Sequence, residues 1–150
     1  MTPKLATTLQ DLIVGDLNAA TLSFANGKAK ADLVPKRDLS QINAEARLLV
    51  VVGDRVRADG TRAADEQTQD IHVGFLQKLT SDQPPTSEFQ PLIDFVDTEL
   101  PEFFYGKRYT LPGGQSANWS GTAHEPLYVT SDVIEKVQFT SVLVTTWLAL

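Results

Sequence analysis

The hydrophobic residues near the start of the chain recur at helical spacing, which places them on one face of an amphipathic helix. Pro3 stands just before them, where the first turn of a helix tolerates proline. The residues of this face are Leu5, Leu9, Leu12, Ile13 and Leu17. The pattern predicts a short N-terminal helix.

Short apolar runs then predict strands. Residues 21–24 and 31–34 flank Asn26-Gly27, a typical two-residue hairpin turn, and Pro35 follows where it would end a strand. Residues 47–57, RLLVVVGDRVR, are rich in β-branched side chains. They predict a central strand with a basic end, followed by a turn at Asp59-Gly60.

The spacing of apolar residues predicts two longer helices in the middle of the chain. Residues 67–80 carry Ile71, Phe75, Leu76 and Leu79 at helical intervals, and a polar stretch ending in two prolines follows. Residues 89–104 resume the helical pattern. Pro91 falls in the first turn of this second helix, whereas Pro101 is expected to kink or end it.

The last third of the chain predicts a loop and a strand. Residues 110–126 are rich in Gly, Ser and Asn, which predicts a long exposed loop that carries an isolated Trp119. In an extended chain, residues 126–150 would place apolar side chains on both faces, and Trp147 is expected in the core. This pattern predicts a strand that is central in a sheet or lies at a subunit contact.

These elements predict one α+β domain over residues 1–150. Its sheet is expected to be mainly antiparallel with four to five strands, with two longer helices on one face and a short N-terminal helix. The predicted core consists of Leu9, Leu12, Val50, Val52, Ile71, Phe75, Leu79, Leu92, Val96, Val137, Phe139 and Leu143.

Charge is distributed unevenly along the chain. The net charge is −6, but residues 28–62 are basic and residues 63–105 are strongly acidic. Opposite patches of this kind suit head-to-tail contacts between copies of one protein, although separate solvated faces would give the same pattern. The acidic balance argues against sequence-independent binding to nucleic acid or to an anionic membrane.

The sequence carries no motif of the common catalytic and metal sites, although its nineteen acidic residues leave a carboxylate pair for acid–base chemistry open. There is no cysteine, and His72 and His124 lie too far apart for a paired metal motif. The segments around Ser116 and Ser120 do not form a nucleophile elbow, and residues 111–114 lack the lysine of a phosphate loop. We therefore expect no cofactor, no metal and no catalytic residue. Without a secretion signal or a long apolar stretch, we expect a soluble product that does not enter a membrane.

The order of elements resembles that of the tail terminator and tail completion proteins of long-tailed bacteriophages. The resemblance covers most of residues 5–150 and rests on RLLVVVGDRVR, QDIHVGFLQKL, FQPLIDFVDTELPEF and EKVQFTSVLVTTWLAL. None of these segments is a signature motif. Residues 110–126 have no counterpart in the family pattern.

The resemblance implies a structural virion protein rather than an enzyme. Such a protein forms a ring, usually of six copies, that caps the tail tube, stops its polymerisation and joins the tail to the head connector. The expected partners are other copies of the chain, the tail tube protein and the head-tail connector protein, and DNA passes through the channel without specific binding. The expected location is the tail or neck of the virion, after assembly in the host cytoplasm.

Two other functions remain open at this point. One is a head-completion or neck adaptor that binds the portal side, and the other is a small hydrolase or ligand-binding domain with residues 110–126 as a lid and His124 and Glu125 in its site. If the protein is a structural virion component, charge and expected exposure predict a set of residues in subunit or partner contacts. They are Arg55, Arg57, Arg62, Asp94, Asp97 and Trp119.

Overall fold

In a computed structural model, which describes residues 5–32, 45–57 and 67–149, the chain forms an α+β fold around a six-stranded sheet. No helix among these residues is long and apolar enough to cross a membrane. The elements in chain order are α1 (Leu5–Ala19), β1 (Ala29–Asp32), β2 (Ala46–Arg57), β3 (Gln67–Lys78), α2 (Thr86–Asp94), a π-helical turn (Phe95–Glu99), α3 (Leu100–Phe104), β4 (Arg108–Thr110), β5 (Ser116–His124), α4 (Thr130–Lys136) and β6 (Gln138–Ala149).

The strands are ordered β1-β2-β3-β6-β5-β4 across the sheet. β1 pairs parallel with β2, and every other pairing is antiparallel. The predicted α+β class and the mainly antiparallel sheet are confirmed, although the sheet is mixed and has more strands than expected. The strand predicted over residues 126–150 is confirmed only for β6, because residues 130–136 form α4 instead. β6 is central, as its two apolar faces predict, because it lies between β3 and β5.

The helix predicted over residues 67–80 is wrong, because this segment forms β3. Ile71, Val73 and Phe75 alternate with polar or small residues, and all three are fully buried on one face. A helix over these residues would leave Val73 outside its apolar stripe and would contain Gly74, a poor helix former. Pairing with β2 on one side and β6 on the other then fixes the extended conformation.

The long loop predicted over residues 110–126 is also wrong, because most of it forms β5. A tight turn at Pro112-Gly113-Gly114 joins β4 to β5, and Leu111 N–H donates to the Gln115 carbonyl across 2.7 Å. Both glycines of this turn have positive φ, which other residues rarely adopt. Small polar residues have weak strand propensity, but main-chain pairing with β6 compensates for it.

The predicted hairpin over residues 21–34 does not form. Asn26-Gly27 does lie in a turn, where Lys28 N–H donates to the Ala25 carbonyl, but residues 21–24 are not a strand. β1 instead runs parallel to β2, so the turn leads from α1 into an edge strand. The end of the second predicted strand and the turn at Asp59-Gly60 lie outside the described residues.

The main core lies on one face of the sheet, where α1 and the helical residues 86–104 pack against β2, β3 and β6. Nine of the predicted core residues are buried, and Leu12, Val52 and Val137 are partly buried. Val137 does not belong to the β6 face because it ends α4 in a left-handed conformation, with φ of 51°. Trp147 is fully buried, as predicted.

Candidate interaction surface

Residues 86–104 form one continuous helical segment, called here the long helix, in which Pro101 causes no break. Leu100 N–H donates to the Phe95 carbonyl five residues earlier, which is π-helical geometry. In the same register the Val96 carbonyl would accept from residue 101, but proline has no N–H to donate. His124 supplies the missing donor, since its Nε2 lies 2.6 Å from the Val96 oxygen. The side chain of His124 therefore has a structural role.

We expect His124→Ala to lower the free energy of unfolding by about 1–3 kcal/mol, because a buried carbonyl oxygen loses its donor. Urea denaturation would measure this loss, with Thr122→Ala on the same strand as a control. A stability equal to that of the control would contradict the proposed role. The same variant bears on the enzyme alternative, which requires a small-molecule activity that disappears with His124.

The outer face of the long helix carries exposed carboxylates. Asp94, Asp97 and Glu102 are all exposed, and none of them forms an ion pair with a described residue. Asp94 accepts one hydrogen bond, from Gln90 Nε2 at 3.0 Å. Negative charges that form no ion pair with a described residue make the local electrostatic potential negative, so this face attracts positively charged partners.

A groove enclosing about 640 Å³ runs between the outer face of the long helix and the loop that follows α1. Its lining combines apolar side chains with carboxylates. These residues include Phe24, Pro91, Phe95, Asp94, Glu99 and Glu102. Asp97 does not line the groove, although it lies on the same helix. Asp94 and Asp97 are therefore in different places relative to the groove, although their charge alone groups them together.

The loop that forms one wall of the groove is fixed to the long helix at two points. The carboxylate of Glu99 accepts hydrogen bonds from the backbone N–H of Ser23, at 2.9 Å, and from the Ser23 hydroxyl. The ring of Phe24 packs edge-on against Phe95, with centroids 5.5 Å apart. The contact between Ser23 and Glu99 joins residues 76 positions apart in the sequence, so no local pattern indicated the groove.

The predicted basic end of β2 is partly described. Arg55 is exposed, and its Nε donates to Gln69 Oε1 across 2.9 Å. Arg57 is the last residue of β2 and pairs with Gln67, while Arg62 lies outside the described residues. A bulge between Val52 and Arg55 changes the register at this end of the strand.

Trp119 is not an isolated loop residue but lies on β5, opposite Trp147. It is partly buried and packs against its own domain, and its ring centroid lies 4.7 Å from that of Tyr105. Tyr105 is 73% exposed. The indole N–H of Trp119 is buried and has no hydrogen-bond partner among the described residues. The exposed ring of this pair is therefore that of Tyr105, which packs on the partly buried ring of Trp119.

A partly buried polar contact joins α1 to β4. Tyr109 donates its hydroxyl to Asp16 Oδ2 at 2.7 Å, and Lys107 Nζ lies 2.8 Å from the same oxygen. Burial, the hydrogen bond to Asp16 and the negative charge of Asp16 together raise the pKa of Tyr109 above its ordinary value of 10.0. The phenol therefore remains a hydrogen-bond donor at neutral pH. The contacts of Tyr109 and Lys107 with Asp16 have a structural role, because they hold α1 against β4.

Among the residues that the structure describes, no group of three or more His, Cys, Asp or Glu side chains is placed to hold a metal ion. The acidic groove and the basic end of β2 are two features of the described residues that suggest interaction with another molecule. No protein-family model matches the chain, and a search of curated proteins found no relative.

Proposed function

We propose that this protein is a structural component of a tailed bacteriophage virion, a tail terminator that forms a ring, caps the tail tube and stops its polymerisation. The ring joins the tail to the head connector. The observation that supports this proposal is the separation of charge on the folded chain. Exposed carboxylates of the long helix form no ion pair with any residue that the structure describes, whereas the exposed Arg55 lies at the end of β2.

Two different, complementary surfaces on one chain favour a head-to-tail contact between copies. Such a contact produces a closed ring when its rotation divides a full turn, and an open filament otherwise. A ring of six copies is the form that the family resemblance implies. Charged contacts of this kind also set the orientation of each copy, because like charges are repelled when the register is wrong.

The acidic character of the protein suits a channel that DNA must pass without being retained. A net charge of −6 leaves little basic surface to displace counterions from phosphates. DNA is therefore a passing cargo and not a specific ligand. The location that follows from this role is the tail or neck of the virion.

The proposal can be tested by measuring solution mass and tube growth. Light scattering on the purified protein, across concentration and with and without magnesium, is expected to show a species of about six times the chain mass of 16.4 kDa. Added to growing tail tube protein, the ring is expected to shorten the tubes seen by electron microscopy.

The choice of partner separates the proposal from its nearest alternative. Binding to purified connector protein with no binding to tail tube protein would identify a head-completion or neck adaptor instead. A protein that stays monomeric at every concentration and leaves tube growth unchanged would contradict the terminator role.

A further inference from the structure

The groove on the long helix is suited to a cationic side chain rather than to a metal ion. Its carboxylates, from Asp94, Glu99 and Glu102, line a groove of about 640 Å³ and do not form a metal-binding cluster. The half-buried Phe24 and the buried Phe95 also line it. An arginine fits such a site well, because its aliphatic stem packs on apolar surface and its planar guanidinium binds carboxylates and aromatic faces.

The carboxylates at the groove differ in the number of hydrogen bonds that they already accept within the chain. Glu99 is engaged by Ser23, whereas Glu102 has no hydrogen bond or ion pair with a described residue. Asp94 accepts a single bond from the exposed Gln90. Asp94 and Glu102 therefore keep acceptor capacity for a donor from outside the chain.

The chain carries a suitable arginine at a distance from its own groove. Arg55 is bonded to Gln69, whereas Phe95 of the groove packs on Phe75, with ring centroids 4.8 Å apart. Gln69 and Phe75 are six residues apart on β3, which corresponds to about 20 Å along a strand. The basic end of β2 and the groove are thus separate surfaces of one molecule, and a contact between them requires two copies.

We propose that the groove lined by Phe24, Asp94, Phe95 and Glu102 receives Arg55, at the basic end of β2, from a neighbouring copy of the chain. This inference rests on the proposed function and names the contact that closes the ring. Because the two surfaces differ, each copy offers one arginine end and one groove, which is a heterologous contact. Asp97 lies on the same helix but outside the groove, so it takes no part in the contact.

The absence of native cysteine allows a direct test by cross-linking. Asp54→Cys places a thiol beside Arg55, and Thr98→Cys places one in the groove, while both variants leave the proposed arginine and carboxylates intact. A short bis-maleimide is expected to convert the double variant into a ladder of linked multimers. A variant that combines Asp54→Cys with Asp11→Cys on the exposed face of α1 is the control, and we expect no multimers beyond random dimers.

Single neutral substitutions test the charges. Glu102→Gln is expected to weaken self-association at least about tenfold, in line with measured couplings of close charge pairs at interfaces. Asp97→Asn removes the same charge from the same helix and is expected to leave self-association unchanged. Equal effects of the two variants would overturn the proposed contact, because they would show a general charge effect.

The outcomes distinguish this inference from the proposed function. Wild-type rings without a cross-linked ladder would overturn the groove contact and leave the terminator role standing. A ladder from a protein that does not stop tube growth would overturn the terminator role and leave the contact standing. Loss of tail tube binding in Glu102→Gln, with unchanged self-association, would show that the groove receives a basic segment of the tube protein instead.

Discussion

Replacing both Arg55 and Arg57 with glutamate is expected to abolish ring formation and leave a folded monomer. The change places negative charge at the end of β2, so this end would be repelled by the acidic groove of the next copy. Both residues lie at the end of β2, and the exposed Arg55 is not part of the core. Light scattering would measure the loss of the large species, and circular dichroism would show that the fold is retained.

A matched control separates the position of the charge from its amount. Lys78→Glu combined with Arg108→Glu alters the net charge by the same amount, at exposed positions on β3 and β4. We expect this variant to form rings as the wild type does. If the arginine variant also assembles normally, the basic end of β2 is not the subunit contact.

Phe75→Ala is expected to cause the largest loss of stability, about 3–5 kcal/mol, because it leaves a cavity in the centre of the core. Phe75 is fully buried on β3. Its ring contacts those of Phe24, Phe95 and Phe139, with centroids between 4.8 and 6.1 Å apart. The change in urea midpoint would measure the loss, and a domain of this size has only about 5–15 kcal/mol to lose.

Tyr105→Ala provides the comparison for this prediction. Tyr105 is 73% exposed and its ring packs on that of Trp119, so its removal is expected to cost at most about 1 kcal/mol. Similar losses for the two variants would contradict the central position of Phe75. A destabilised Phe75 variant is also expected to lose the groove, since Phe24 and Phe95 pack on the same ring.

Elements with strong local signals could be predicted from the sequence. α1 follows from its single apolar face, β2 from its run of β-branched residues, and β6 from apolar residues on both faces. Where local signals conflicted, tertiary pairing decided. Residues 67–78 have apolar residues at both helical and alternating positions, and only the neighbouring strands β2 and β6 resolve the choice. The same reason explains β5, whose small polar residues suggest a loop until β6 supplies the pairing.

The candidate site was only partly predictable for the same physical reason. The sequence by itself determined which residues carry charge, and it indicated Arg55, Asp94 and Asp97 as contacts between molecules. Only the tertiary structure placed Asp94 in a groove and Asp97 outside it. It also gave Trp119 and His124 partners within the domain. Charge is a property of each residue alone, whereas a groove forms between segments that are distant in sequence and meet only when the core is packed.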